Sequence, residues 1–282
     1  MLERALPRFL DVFGRLGVHA TFFVVAEDAR ANVVELRRAL AAGHEIASHS
    51  LTHPVPFSCL SRQMLEKELL PSRDLLEELL GVPVQGFRAP GLALSAAVLD
   101  GVARAGYRYD SSLLPSPYVV VSLLTQRGYT NGRVSDWLLP ALRGVFSPRH
   151  PHRRRDGLWE LPLSTSPTLR LPLFHTPRLM LGRRAFDSLT RRSSRAEPYL
   201  QYVFHGIDLL TAEEVDGELH HHPGARLPLA EKIRIAEEIL RRFLRRRTSR
   251  RLDAFLTARD ASTSSQAEAP AEPTRSMSGS RP

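Results

Sequence analysis

One cysteine, Cys59, occurs in 282 residues. A single thiol excludes an internal disulfide and a cysteine-based zinc site. Lysine is almost absent too: Lys67 and Lys232 are the only two, so the positive charge is carried by arginine. No apolar run reaches the roughly 18 residues that a membrane-crossing helix needs. The opening MLERALPRFLDVFGRLG lacks the order of basic, apolar and small residues that marks a secretory leader. A cytoplasmic location is the resulting expectation.

What is present is an ordinary globular composition, 43% apolar, with a formal net charge of +9. Such a charge raises nucleic acid or an anionic membrane as partners. The arginine bias reads more simply as a codon preference, and much of the excess lies in HPHRRR at 150–155 and RRFLRRRTSRR at 241–251. Nucleic acid is therefore not favoured. A peripheral contact with anionic membrane is the reading kept for these segments.

Hydrophobic period sorts the chain into alternating elements. Leu6, Phe9, Leu10, Phe13 and Leu16 predict a helix over 3–16, and HATFFVVA at 19–26 a buried strand. A helix over 28–42 stops at Gly43, and HEIAS is the second strand. An amphipathic helix over 61–80 is expected to kink at Pro71 and end at Gly81. VQGF at 84–87, a helix over 95–105 and GYRYD at 106–110 complete the regular part. This βαβα order predicts a parallel sheet covered by helices. Farther on, LWELPLST at 158–165, YLQYVFHG at 199–206 and LDAFLT at 252–257 read as strands, and 229–246 as a helix. The expected organisation is one domain over 1–258, with an irregular insertion at 111–182 and a disordered tail over 259–282.

Functional side chains of such sheets sit at the carboxyl ends of strands. His49, Arg88 and Asp110 each fall just past a strand end, and His205 follows a later apolar run. His49 and His53, four apart, can share one ion if their segment turns helically. Arg88, backed by Pro90 and Gly91, is aimed over the strand ends, where its fork suits a carboxylate. Asp110 reads either as a cap of the next segment or as a carboxylate that sets a histidine's tautomer. A lone histidine such as His205 is more often structural, but after an apolar strand of such a fold it would point into the same crevice as the other three.

Taken in order, ATFFVVA, GHEIASHSLTH, a helix ending LLG-x-P, GFRAPG, GYRYDSS and a late strand ending in histidine resemble the polysaccharide deacetylase family of carbohydrate esterases. The likeness to these chitooligosaccharide-deacetylase-like enzymes of esterase family four is close over 1–112 and loose over 157–257. It implies an α/β fold, a distorted (β/α) barrel with fewer than eight strands. It also implies a divalent metal, zinc by preference, with His49 and His53 as ligands. Arg88 would orient the base, Asp110 support the acid, and His205 be the acid. The implied reaction is hydrolytic deacetylation of an N-acylated sugar in a polysaccharide or a polyprenyl-linked glycan. The family's first motif, a strand ending in paired aspartates, would supply the base and the third ligand. It belongs ahead of the helix at 3–16, so the first strand is expected to be missing. Glu27 and Asp28 lack that motif, and Pro117 stands near where the family carries an aromatic residue. Two readings follow: a deacetylase, or an inactive relative that binds glycan or anionic membrane.

Overall fold

The computed structural model of the protein describes residues 2–120, 142, 144–167, 169–196, 199–215 and 227–267. Its first element, α1 (Leu2–Leu16), buries Ala5, Leu6, Phe9, Val12 and Phe13, the stripe that the helical period predicts. The strand β1 (Thr21–Val24) follows. Next, α2 (Ala26–Ala31) and α3 (Val33–Ala41) replace the single helix expected over 28–42. The break has a local cause. The Asn32 side-chain amide donates to the Asp28 carbonyl at 2.7 Å, competing with the helix ladder.

β2 (Glu45–Ser48) is buried along its whole length. α4 (Arg62–Leu80) begins with Ser61 accepting from the Met64 N–H and ends at Gly81, whose φ of 70° suits glycine. The helix runs through Pro71 as one element rather than dividing there. β3 (Gly86–Phe87), α5 (Ala96–Arg104), β4 (Tyr109–Asp110), β5 (His152–Arg153) and β6 (Trp159–Glu160) come next. Among the described residues the sheet order is β1-β2-β3-β4-β6-β5, parallel except for β5 against β6. This open, mostly parallel sheet with covering helices is what the βαβα order predicts, and it is consistent with the distorted barrel that the resemblance implies.

Later in the chain, the described residues include the helices α6 (His175–Ala196), α7 (Leu229–Leu244) and α8 (Leu252–Ala267). α8 corrects the strand expected at 252–257 and extends into the segment read as a tail. Its start is fixed by Leu252 N–H donating to Thr21 Oγ1 at 3.0 Å and Asp253 N–H to Glu45 Oε2 at 3.2 Å. Leu252 and Leu256, one turn apart, bury beside Tyr109, Trp159 and Leu161. The rest of the expected tail, 268–282, lies outside the described residues, as do 121–141, 143 and 168 of the expected insertion.

The strand expected at 199–206 is reduced to one bridge, Val203 to Phe174. Side chains take the place of a ladder there: Gln201 N–H donates to Ser164 Oγ at 2.8 Å. One apolar core lies under α3, α4 and α5, and a second joins α1 and α7 through Phe9, Phe13, Ile239 and Phe243.

Candidate functional site

The carboxyl end of β2 delivers His49. Its Nδ1–H donates to the Arg88 carbonyl at 2.6 Å, which fixes the tautomer and leaves Nε2 with the free lone pair. After His49 the chain turns sharply. Ser50 and His53 both take left-handed φ values, 71° and 62°, which non-glycine residues rarely adopt. The Ser50 hydroxyl accepts the His53 N–H at 3.0 Å, and the two imidazole centroids come to 5.0 Å. The turn also rests on α2, whose Ala26 and Glu27 N–H groups donate to the Ser50 and Leu51 carbonyls.

Both imidazoles are held neutral at pH 7. Burial pushes His49 down to about 3, helped by the nearby charges of His53, Arg88 and His205 and opposed by the bond to the Arg88 carbonyl. Burial also lowers His53, against the carboxylates of Asp28 and Glu68. Neutral, converging imidazoles are the form in which histidine binds a metal, so this donor pair fits a zinc-like ion at two positions. Among the described residues, no group of three His, Cys, Asp or Glu side chains is arranged to hold one.

Arg88 leaves β3 with its guanidinium stacked 3.9 Å over the Phe23 ring. Nε donates to the Ser111 carbonyl at 2.8 Å, and Nη2 to Ser111 Oγ at 3.0 Å and Gln201 Oε1 at 2.9 Å. Burial lowers its pKa only to about 10, so it stays charged at neutral pH. Asp110, fully buried, accepts from the Ser112 N–H at 2.8 Å and the Ser112 hydroxyl at 2.7 Å. Across the parallel pair its register partner is Glu160, with which it shares a hydrogen bond. Burial raises Asp110 to about 6 and Glu160 well above the carboxylate range, so the proton of the pair resides on Glu160. Asp110 thus anchors the Ser111–Ser112 turn that Arg88 grips.

His205 begins a short 3-10 turn (Gly206–Leu209) and is exposed. Its N–H donates to Asp208 Oδ2 at 2.8 Å, and its ring lies edge-on to Phe174. The structure brings His49, His53 and the Arg88 backbone into direct contact, and His205 within reach of His49 through its charge. Sequence reasoning missed Gln201, Ser111, Glu160 and Glu68. Three of these are small or amide side chains, or a register partner, with no motif of their own. Only Glu68, an acidic residue on the inward face of an amphipathic helix, left a readable signal.

This site lies at the carboxyl ends of an open, mostly parallel α/β sheet. Residues 2–109 match the model of the polysaccharide deacetylase family. A peptidoglycan deacetylase of Helicobacter pylori is 28% identical over 147 residues, 51% of this chain and 50% of that protein. A chitooligosaccharide deacetylase of Sinorhizobium fredii is 36% identical over 100 residues, 36% of this chain and 46% of that protein. The chain therefore spans about half the length of these relatives. A crystal structure of a Mycobacterium smegmatis protein, provisionally described as a polysaccharide deacetylase, superposes with a TM-score of 0.51 at 21% identity. That match covers 84% of this chain and 71% of that one, and bears on the fold alone. Among the described residues no helix is long and apolar enough to cross a membrane.

Proposed function

We propose that this site serves the hydrolytic deacetylation of an N-acetylated glycan, with His49 and His53 as two ligands of a divalent ion, zinc by the nitrogen donor set. One observation carries the reading: two neutral imidazoles converge at a strand's carboxyl end, one with its tautomer fixed by a backbone carbonyl. Such an ion, when bound, polarises the acyl carbonyl and lowers the pKa of an attacking water. The protein's own groups do the rest. Arg88, charged and braced by Ser111 and Gln201, orients an anionic group over the strand ends. Asp110 keeps the Ser111–Ser112 turn in place beneath it. His205, exposed, passes a proton to the departing amine. The names of the relatives, for peptidoglycan and for chitooligosaccharide, support a glycan as the carrier of the acyl group.

The test is acetate release from chitooligosaccharide by zinc-loaded protein, with metal content measured on the same sample. His49→Ala and His53→Ala should each remove activity and bound zinc together. Full zinc and full activity in the double variant would end this reading. A second reading, an inactive relative that binds glycan, is favoured by the incomplete ligand set among the described residues. Glycan binding that survives both histidine substitutions, with no acetate released by the parent, would select it.

A further inference from the structure

The turn between the two histidines is an improbable piece of chain. It holds two non-glycine residues at left-handed φ, each of which costs about 1 kcal/mol or more, so the surroundings must impose it. Besides the Ser50 hydroxyl and the two N–H groups of α2, one buried carboxylate on α4 holds it. Glu68 is 4% exposed and points back at the segment between the ligands. Its Oε2 accepts the N–H groups of Leu51 and Thr52, both at 3.0 Å, and its Oε1 accepts the Thr52 hydroxyl at 2.7 Å. One turn along the same face of α4, Ser72 meets Ser48 Oγ at 2.8 Å, on the other side of His49. Two residues of one helix therefore bracket His49, and of these two only Glu68 touches the chain that links it to His53.

We propose that Glu68 is the positioning residue of the histidine pair: its carboxylate, by gathering two backbone N–H groups and a hydroxyl of the intervening turn, sets the separation and aim of His49 and His53. The proposal rests on the reading of this pair as metal ligands. It assigns Glu68 no contact with the ion or the substrate. Its action is geometric. Without the acceptor, the Leu51 and Thr52 N–H groups lose their partner, the strained turn relaxes, and the imidazoles separate.

Chemistry separates this role from a merely electrostatic one. Glutamine at this position can present its carbonyl oxygen to both N–H groups and its NH2 to the Thr52 hydroxyl, which then accepts. Glu68→Gln removes the charge and keeps the pattern. Glu68→Leu removes the pattern and keeps the volume. Glu68→Asp keeps the charge and draws it back by one methylene.

Affinity for Zn²⁺ alone, by competition with a chromophoric chelator on the full chain, reads the pair without any substrate. Glu68→Leu and Glu68→Asp should weaken zinc binding by about 10–100-fold, the range for a lost ligand-orienting partner, while Glu68→Gln stays within about threefold of the parent. Ser72→Ala, which removes a buried hydroxyl on the same face of α4 but no bond between the histidines, should also stay within about threefold. Should Glu68→Leu fail to fold, Glu68→Asp carries the comparison. The proposal is overturned if Glu68→Asp and any folded Glu68→Leu keep parental affinity. It is also overturned if Glu68→Gln falls as far as they do, which would make charge the cause, or if Ser72→Ala falls equally, which would make it general loosening. Zinc binding that ignores His49→Ala and His53→Ala would instead end the metal-ligand reading and leave the Glu68 geometry unused.

Discussion

His49 leaves a four-residue strand paired residue by residue with β1, whereas His205 leaves a segment whose only described bridge is Val203 to Phe174. The first is positioned by backbone ladders and close packing. The second is positioned by side chains reaching from far along the sequence. Lys232 on α7, fully buried, donates to the carbonyls of Leu210 and Ile207. Arg8 on α1 donates to the Leu209 carbonyl at 2.8 Å and pairs with Glu214 through both terminal nitrogens. Asp208, raised to about 7 by burial, holds the His205 N–H. The two histidines are thus held by two methods of construction, and each should fail in its own way.

The largest effect is expected where the ladder half packs most tightly. A Cβ on Gly86 would lie 2.0 Å from Tyr109 Cζ and 2.2 Å from its hydroxyl. Tyr109 is fully buried and donates to Glu45 Oε1 at 2.9 Å, so its ring has no free direction to move. Gly86→Ala should cost about 3 kcal/mol in urea unfolding, at the upper end for overpacking. A loss under about 0.5 kcal/mol would mean this half is looser than its contacts imply.

The same contrast explains what the sequence made legible. Period and strand-end position marked β1 to β4, α1, α4, α5 and the His49–His53 pair, because their interactions are local or follow the sheet's repeat. Of the interactions that hold the His205 turn, Arg8 to Leu209 joins residues about 200 apart and Lys232 reaches back more than 20, and no local pattern encodes either. α8 was misread for a related reason. Leu252, Phe255 and Leu256 fit a short strand as well as a helix, and the choice was made by Thr21 and Glu45 bonding the helix's first N–H groups. Asp110 stood out in the sequence, but its proton-sharing partner Glu160 emerged only from the register of β4 on β6.

A smaller effect with a different signature is expected in the tied half. Lys232→Ala leaves two carbonyls and the buried Asp208 without their cation, which should cost about 2–3 kcal/mol. Hydrogen exchange should rise at residues 205–210 while the β1 and β2 amides keep their protection. Equal loss of protection in both places would erase the distinction between the halves.

The smallest effect tests the seam. Arg88 comes from the ladder half and Gln201 from the tied half, and the 2.9 Å bond from Arg88 Nη2 to Gln201 Oε1 joins them beside the site. Each residue has other partners: Arg88 the Ser111 carbonyl and Phe23 ring, Gln201 the Leu161 carbonyl and Tyr199 hydroxyl. Single substitutions would mix those losses with the bond of interest. A double-mutant cycle with Arg88→Met and Gln201→Leu, read by urea unfolding, cancels them and isolates the pair. A hydrogen bond from a charged donor in a buried setting should give a coupling of about 1–1.5 kcal/mol. Coupling below about 0.3 kcal/mol would make the two halves energetically independent at this point, so that Arg88 would be held by Ser111 and Phe23 alone. Coupling of the expected size would mean that the loop carrying His205 and the strand carrying Arg88 are set by one shared interaction, despite the different ways the two halves are built.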